Sequence, residues 1–137
     1  MKLLAWLFGG LLGLVLLLLV SQWIASESGE VVVLTTSDIA GEPHETRLWV
    51  VDYQGAPWLR AGAAVQGWYQ RLLAKPEVEL TRNGTTTAYT AVPEIAKRKV
   101  INDLMLAKYG WADRYIGLFF GRGNSVPIRL ELRERAP

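Results

Sequence analysis

Cysteine is absent from the 137-residue chain, and histidine occurs once. Without thiols, disulfides, iron–sulfur clusters and thiolate zinc sites are excluded. One histidine cannot build a multi-histidine metal centre. His44 stands in Gly-Glu-Pro-His-Glu, a turn composition, and reads as a solvated loop residue. No nucleophile elbow accompanies it, which argues against a Ser-His-Asp hydrolase. No strand is followed by a phosphate-binding glycine motif; Gly121-Arg122-Gly123 precedes a strand and reads as a turn. An excess of charge is missing too. Lys2 is the only charge in the first 26 residues, which leaves 14 basic against 13 acidic groups, a net charge of about +1. A nucleic-acid footprint needs a concentrated basic face, so no nucleic-acid partner is expected.

What the chain does have begins at its first residues. Leu3 to Val20 carries no charge, and Ser21, Gln22, Trp23 and Ile24 extend the apolar run. Roughly 20 such residues span a ~30 Å hydrocarbon core. Trp6 and Trp23 stand near its ends, where indole rings favour the interface. Residues 1–25 are therefore expected to be a single-pass transmembrane anchor, so the bilayer is the first expected partner. The alternative, a cleaved signal peptide, has a shorter apolar region and needs a small-x-small site; Ile24-Ala25-Ser26 is a poor one. Lys2 flanks one side and Glu27 and Glu30 the other. The positive-inside tendency then leaves the domain outside the cytoplasm.

Residues 26–30 read as a linker and residues 31–137 as one domain. Val31 to Thr36 is a β-branched strand. A turn follows, then a single strand from Glu45 to Tyr53, apolar on both faces at Leu48 to Val51. Gln54-Gly55 turns into a third strand, Ala56 to Ala61. Val65, Trp68, Tyr69, Leu72 and Leu73 form the stripe of an amphipathic helix that Pro76 stops. Glu77 to Arg82 and Thr85 to Val92 flank Asn83-Gly84, the strongest hairpin signal in the chain.

Pro93-Glu94 suits the first turn of a second helix. Ala96, Val100, Ile101, Leu104 and Ala107 mark its buried face, and Gly110 ends it. Trp111 to Phe120 is a shorter, aromatic helical piece. Val126 to Arg133 closes the chain with Ile128, Leu130 and Leu132 inward. The expected fold is α+β: a six-stranded antiparallel barrel with two or three helices, preceded by one N-terminal transmembrane helix.

The order of these features resembles a known group. Trp68-Tyr69 followed by Lys75-Pro76-Glu77-Val78 is similar to the Trp-Tyr…Pro-x-Val pattern of the split β-barrel flavin- and deazaflavin-binding superfamily. That superfamily takes in pyridoxamine-phosphate-oxidase-like proteins and the deazaflavin-dependent nitroreductase and quinone reductase family. One branch also carries Gly-x-Pro-His, a Trp-Val-Val strand and an Ala-Lys-Tyr-Gly helix end, matched here by Gly41 to His44, Trp49 to Val51, and Ala107 to Gly110. The resemblance implies an oxidoreductase that binds FMN or a deazaflavin coenzyme and acts on a small lipophilic acceptor such as a quinone. It also implies a homodimer. The cofactor phosphate would lie at Thr46, Arg47, Trp49, Arg60, Ala61 and Gly62, with Trp68 and Tyr69 over the ring. No catalytic acid or base is required, because such a cofactor carries its own chemistry.

The chain departs from the family where a basic Gly-Arg-Lys-Ser-Gly turn is usual. It has Ser37-Asp38-Ile39-Ala40-Gly41, with an acid and no base. That turn permits a monophosphate flavin, a haem-like ligand or no cofactor. In the last case the protein is a non-catalytic, membrane-tethered binding or scaffold domain. Arg114 and Tyr115, beside Trp111 and Phe119, read as part of an amphipathic helix packed on the barrel. Lys97, Arg98 and Lys99 read as a solvated basic face.

Overall fold

A computed structural model describes residues 1–26, 29–62 and 66–133 of the chain. Part of the linker, Val65 and the last four residues lie outside the described residues.

Helix α1 (Lys2–Ser26) precedes strand β1 (Val31–Ser37), β2 (Pro43–Trp49), β3 (Val51–Tyr53) and β4 (Ala56–Ala61). Helix α2 (Gly67–Ala74) leads into β5 (Glu77–Arg82) and β6 (Thr85–Pro93). A single 3-10 turn (Ile95–Lys97), α3 (Arg98–Tyr109), α4 (Trp111–Phe120) and β7 (Val126–Leu132) complete the order. All pairings are antiparallel, in the order β2-β1-β5-β6-β7-β4-β3.

The described residues thus form seven strands, one more than expected. The expected strand Glu45–Tyr53 is cut at Val50. β2 pairs with β1 at one edge of the sheet, and β3 pairs with β4 at the other. Only Val50 separates them, so the sheet must curl until its two edges meet. The result is a half-barrel closed at one buried residue, and Val50 is fully buried. Local sequence cannot show such a corner, because a β-branched run reads the same before and after it.

A corner strips backbone groups of their ladder partners, and buried ones must be satisfied elsewhere. The end of α3 does this. The Tyr109 hydroxyl accepts the Val50 N–H at 3.0 Å and lies 2.6 Å from the Glu30 carbonyl, to which it donates. Lys108 Nζ donates to the Val50 carbonyl at 2.7 Å. Trp49 stacks on Tyr109 with ring centroids 4.3 Å apart and planes 7° from parallel. The Trp-Val-Val and Ala-Lys-Tyr-Gly segments therefore hold one another. Gly110 takes φ 55° and ends α3 there, where a side chain would strain the backbone.

Two cores result. The barrel interior gathers Leu34, Val50, Leu59, Leu72, Leu80 and Ile128 with their neighbours, and α2 closes it with Trp68, Tyr69 and Leu72. A smaller layer lies under α3: Val51, Trp58, Ile101, Met105 and Tyr109. Leu59 belongs to the first core and Trp58 to the second, so α2 and α3 cover opposite faces of β4. Each large buried side chain contributes about 1.5–3 kcal/mol by leaving water.

Several expected boundaries shift. Pro93 ends β6 instead of opening a helix, since its register with Ile128 continues the sheet. Ala96 and Ala107 are exposed, while Met105 and Tyr109 carry the buried face of α3. Leu132 is 69% exposed because β7 runs past the core. Leu73 is half exposed at the end of α2. The basic run is no uniform face: Arg98 donates to the Ser125 carbonyl at 2.6 Å, while Lys99 pairs with Asp103 in solvent.

The first helix, Lys2–Ala25, is long and apolar enough to cross a membrane, with mean hydropathy 2.7 in its most apolar 18-residue stretch and none of that stretch buried against the protein. A signal sequence meets the same criterion. Its last turns touch the domain, where Ala25 is fully buried and the Ser21 and Tyr115 hydroxyls share a 2.6 Å hydrogen bond.

Candidate functional site

The residues singled out in the sequence are distributed as follows. Thr46 and Arg47 lie on β2, with Arg47 exposed opposite Val33. Trp49 has one ring face covered by Tyr109. Trp68 and Tyr69 are 5% and 7% exposed and belong to the barrel interior. Ala61 is buried against β7, and the Gly62 N–H donates to Gln66 Oε1 at 3.0 Å.

Arg60 lies on the α3 face of β4 with its side chain 5% exposed. Nη2 meets Asp113 Oδ1 at 2.5 Å, and Nη1 donates to Asn102 Oδ1 at 3.3 Å. Burial pulls its guanidinium below the usual range, Asp113 opposes that, and Arg122 adds to it. Arg60 is thus committed to the packing of α3 and α4 on the sheet.

A different arginine lines a hollow. Thr36, fully buried at the end of β1, accepts a 2.8 Å hydrogen bond from Arg71 Nε. This fixes the Arg71 stem beside a cavity of about 410 Å³, between α2 and the turn after β1. Its walls include Ser37, Asp38, Ile39, Gln70, Arg71 and Lys75. The size falls within the range usual for small-molecule sites. A smaller hollow of about 280 Å³ shares Ser37 and Lys75 and extends toward Arg133.

Asp38 is the only acid on the wall of the larger hollow, and its oxygens are already engaged. Oδ2 sits 2.9 Å from His44 Nε2, while Oδ1 accepts the Ala40 and Glu42 N–H groups at 2.9 and 3.0 Å. Those bonds, led by His44, hold its carboxyl below the usual range. The Gly-x-Pro-His segment therefore builds the turn, with Gly41 at φ 83°. The base missing from this turn is supplied across the gap by α2. The sequence signal was present: Arg71 and Lys75 stand four residues apart, in the last turn and at the C-cap of α2.

A third hollow, of about 770 Å³, opens between α3 and α4. Leu106, Trp111 and Leu118 give it apolar walls, and Asp113 and Arg122 a polar floor. Asp113 Oδ1 also accepts from Arg122 Nη2 at 2.7 Å.

Neither a protein-family model nor a curated protein sequence matches this chain. Solved structures do. A protein of unknown function from Agrobacterium tumefaciens superposes with TM-score 0.63 at 17% identity, covering 80% of this chain and 51% of its own. The chain thus spans about half the length of that protein. The fold is that of the split-barrel proteins. The heme storage protein HutZ from Vibrio cholerae matches with TM-score 0.57 at 15% identity, over 81% of this chain and 87% of its own. A structure described as an F420 reductase matches with TM-score 0.52 at 15% identity, over 80% of this chain and 91% of its own. Cofactor binding thus occurs within this fold.

Proposed function

We propose that the chain is a membrane-tethered split-barrel protein that binds an anionic aromatic cofactor of the flavin or deazaflavin type and reduces a small lipophilic acceptor such as a quinone. The observation that carries this reading is Arg71. Its Nε is anchored on buried Thr36, and it lines a ligand-sized hollow together with Lys75. Arginine is a fixed fork donor suited to phosphate, and Lys75 adds a mobile positive charge. Both also oppose the partial negative charge at the end of α2, which would otherwise repel an anion. A bound flavin or deazaflavin supplies the hydride chemistry itself. The chain's own residues orient it, and α1 keeps it beside a pool of apolar acceptors.

The test is the absorbance spectrum of the full chain purified in detergent, followed by titration with FMN, with the deazaflavin coenzyme and with haem. Uptake of FMN or deazaflavin, lost in Arg71→Ala, supports the reading. Uptake of haem alone replaces the cofactor class. A colourless protein that takes up none of the three overturns the reading. That last outcome favours a tethered scaffold that has lost its cofactor, a second reading motivated by the engagement of Arg60 within the packing.

A further inference from the structure

We propose that the hollow between α3 and α4 binds an anionic lipid of the bilayer that holds α1. The inference rests on the tethered reading above and concerns a different face of the molecule from the proposed cofactor site.

Position comes first. α4 packs against α1, with Tyr115 bonded to Ser21. Ser21 lies about 7 Å from the end of α1 at ~1.5 Å per residue. On the tethered reading that height falls in the headgroup region, which suits the indole of Trp23 close by in α1. α4 exposes Trp111, Leu118 and Phe119, at 60%, 82% and 55%. A cluster of large apolar side chains beside a membrane-spanning helix is matched by lipid.

Charge comes second. One carboxylate on the wall of the hollow, Asp113, is shared by two guanidiniums, that of Arg122, also on the wall, and that of Arg60 on β4. A positive charge is left without a counterion in that trio. Arg122 Nε is buried with no hydrogen-bond partner among the described residues. Arg114 adds a further guanidinium to the wall. The other acid there, Asp103, is paired with Lys99. A headgroup phosphate answers this excess, and its acyl chain fits the wall of Leu106, Trp111 and Leu118.

The chain has no cysteine, so single labels are clean. Full-length protein is placed in nanodiscs of phosphatidylcholine with or without phosphatidylglycerol. Spin-labelled Phe119→Cys should be reached by oxygen and shielded from aqueous nickel, unlike labelled Glu45→Cys. Native mass spectrometry of the detergent-released protein should show phosphatidylglycerol retained over phosphatidylcholine. Arg114→Gln should lower that preference about fivefold, the worth of one basic group close to an anionic lipid. Arg114 is exposed, so this variant keeps the fold if circular dichroism is unchanged. Equal retention of the two lipids, an unchanged preference in Arg114→Gln, or a water-exposed label at Phe119 overturns the proposal. Displacement of the lipid by millimolar inorganic phosphate shows a general anion site and overturns the lipid assignment. Extraction of the wild type from membranes by alkaline carbonate overturns the tether and this site together. Retention in the membrane without lipid selection overturns this site alone.

Discussion

The two faces of β4 carry different kinds of structure. On one, Leu59 and Ala61 point into an interior of aliphatic side chains closed by Trp68 and Tyr69. On the other, Trp58 joins Tyr109 and Met105, and Arg60 joins Asp113, Arg122 and Asn102. The aliphatic face is interchangeable packing: volume decides its stability. The α3 face is a network in which each polar group depends on its partner. The same contrast separates two arginines. Arg60 holds helices to the sheet, whereas Arg71, anchored at one nitrogen, lines a hollow. Positive charge in this fold therefore has a structural and a presented form.

The sharpest way to break that distinction is Asp113→Ala. It leaves two guanidiniums at the base of the network without their carboxylate and should cost about 3–5 kcal/mol in urea unfolding of the detergent-solubilised protein. Adding Arg60→Met should recover part of the loss. An Asp113→Ala protein as stable as wild type would show that the α3 face is not a network.

Tyr109→Phe is expected to come next. Removing the hydroxyl strands the buried Val50 N–H and should lower stability by about 1–3 kcal/mol. Arg71→Ala should behave in the opposite way to both. Its loss of stability should be about 1 kcal/mol or less, while FMN binding by fluorescence titration weakens tenfold or more. A large stability loss with unchanged FMN affinity would place Arg71 in the structural class with Arg60.

Acid probes the seam between linker and barrel. Arg82, then Lys108, hold the Glu30 carboxyl below its ordinary value of 4.5, and Arg82 holds Asp52 below 3.8. A depressed carboxylate stabilises the fold above its unfolded value and loses that contribution as pH falls through the folded one. Thermal midpoints should therefore decline as pH drops below about 4.5, and Arg82→Met should flatten that decline. The smallest effect belongs to Lys99→Ala, whose exposed pair with Asp103 should leave the midpoint unchanged.

Much of this architecture was legible wherever local chemistry decides. Asn83 and Gly84 take φ 51° and 76°, and the hairpin forms between the expected strands. Pro76 and Gly110 stop their helices where expected, and β4 has its expected bounds. The break at Val50 was not legible, because it comes from edge strands meeting around the barrel. The pairing of Arg60 was hidden for a similar reason: its partners stand 42 and 53 residues away.

Amino-acid order alone settled the apolar first helix, the hairpin and the buried Trp68, Tyr69 and Leu72 of α2, since each follows from neighbours a few residues apart. Closure of the barrel at Val50, and the commitment of one arginine to packing while another lines a hollow, were decided by tertiary structure. Burial and pairing of a charge depend on what distant segments bring to it, and no local pattern encodes that.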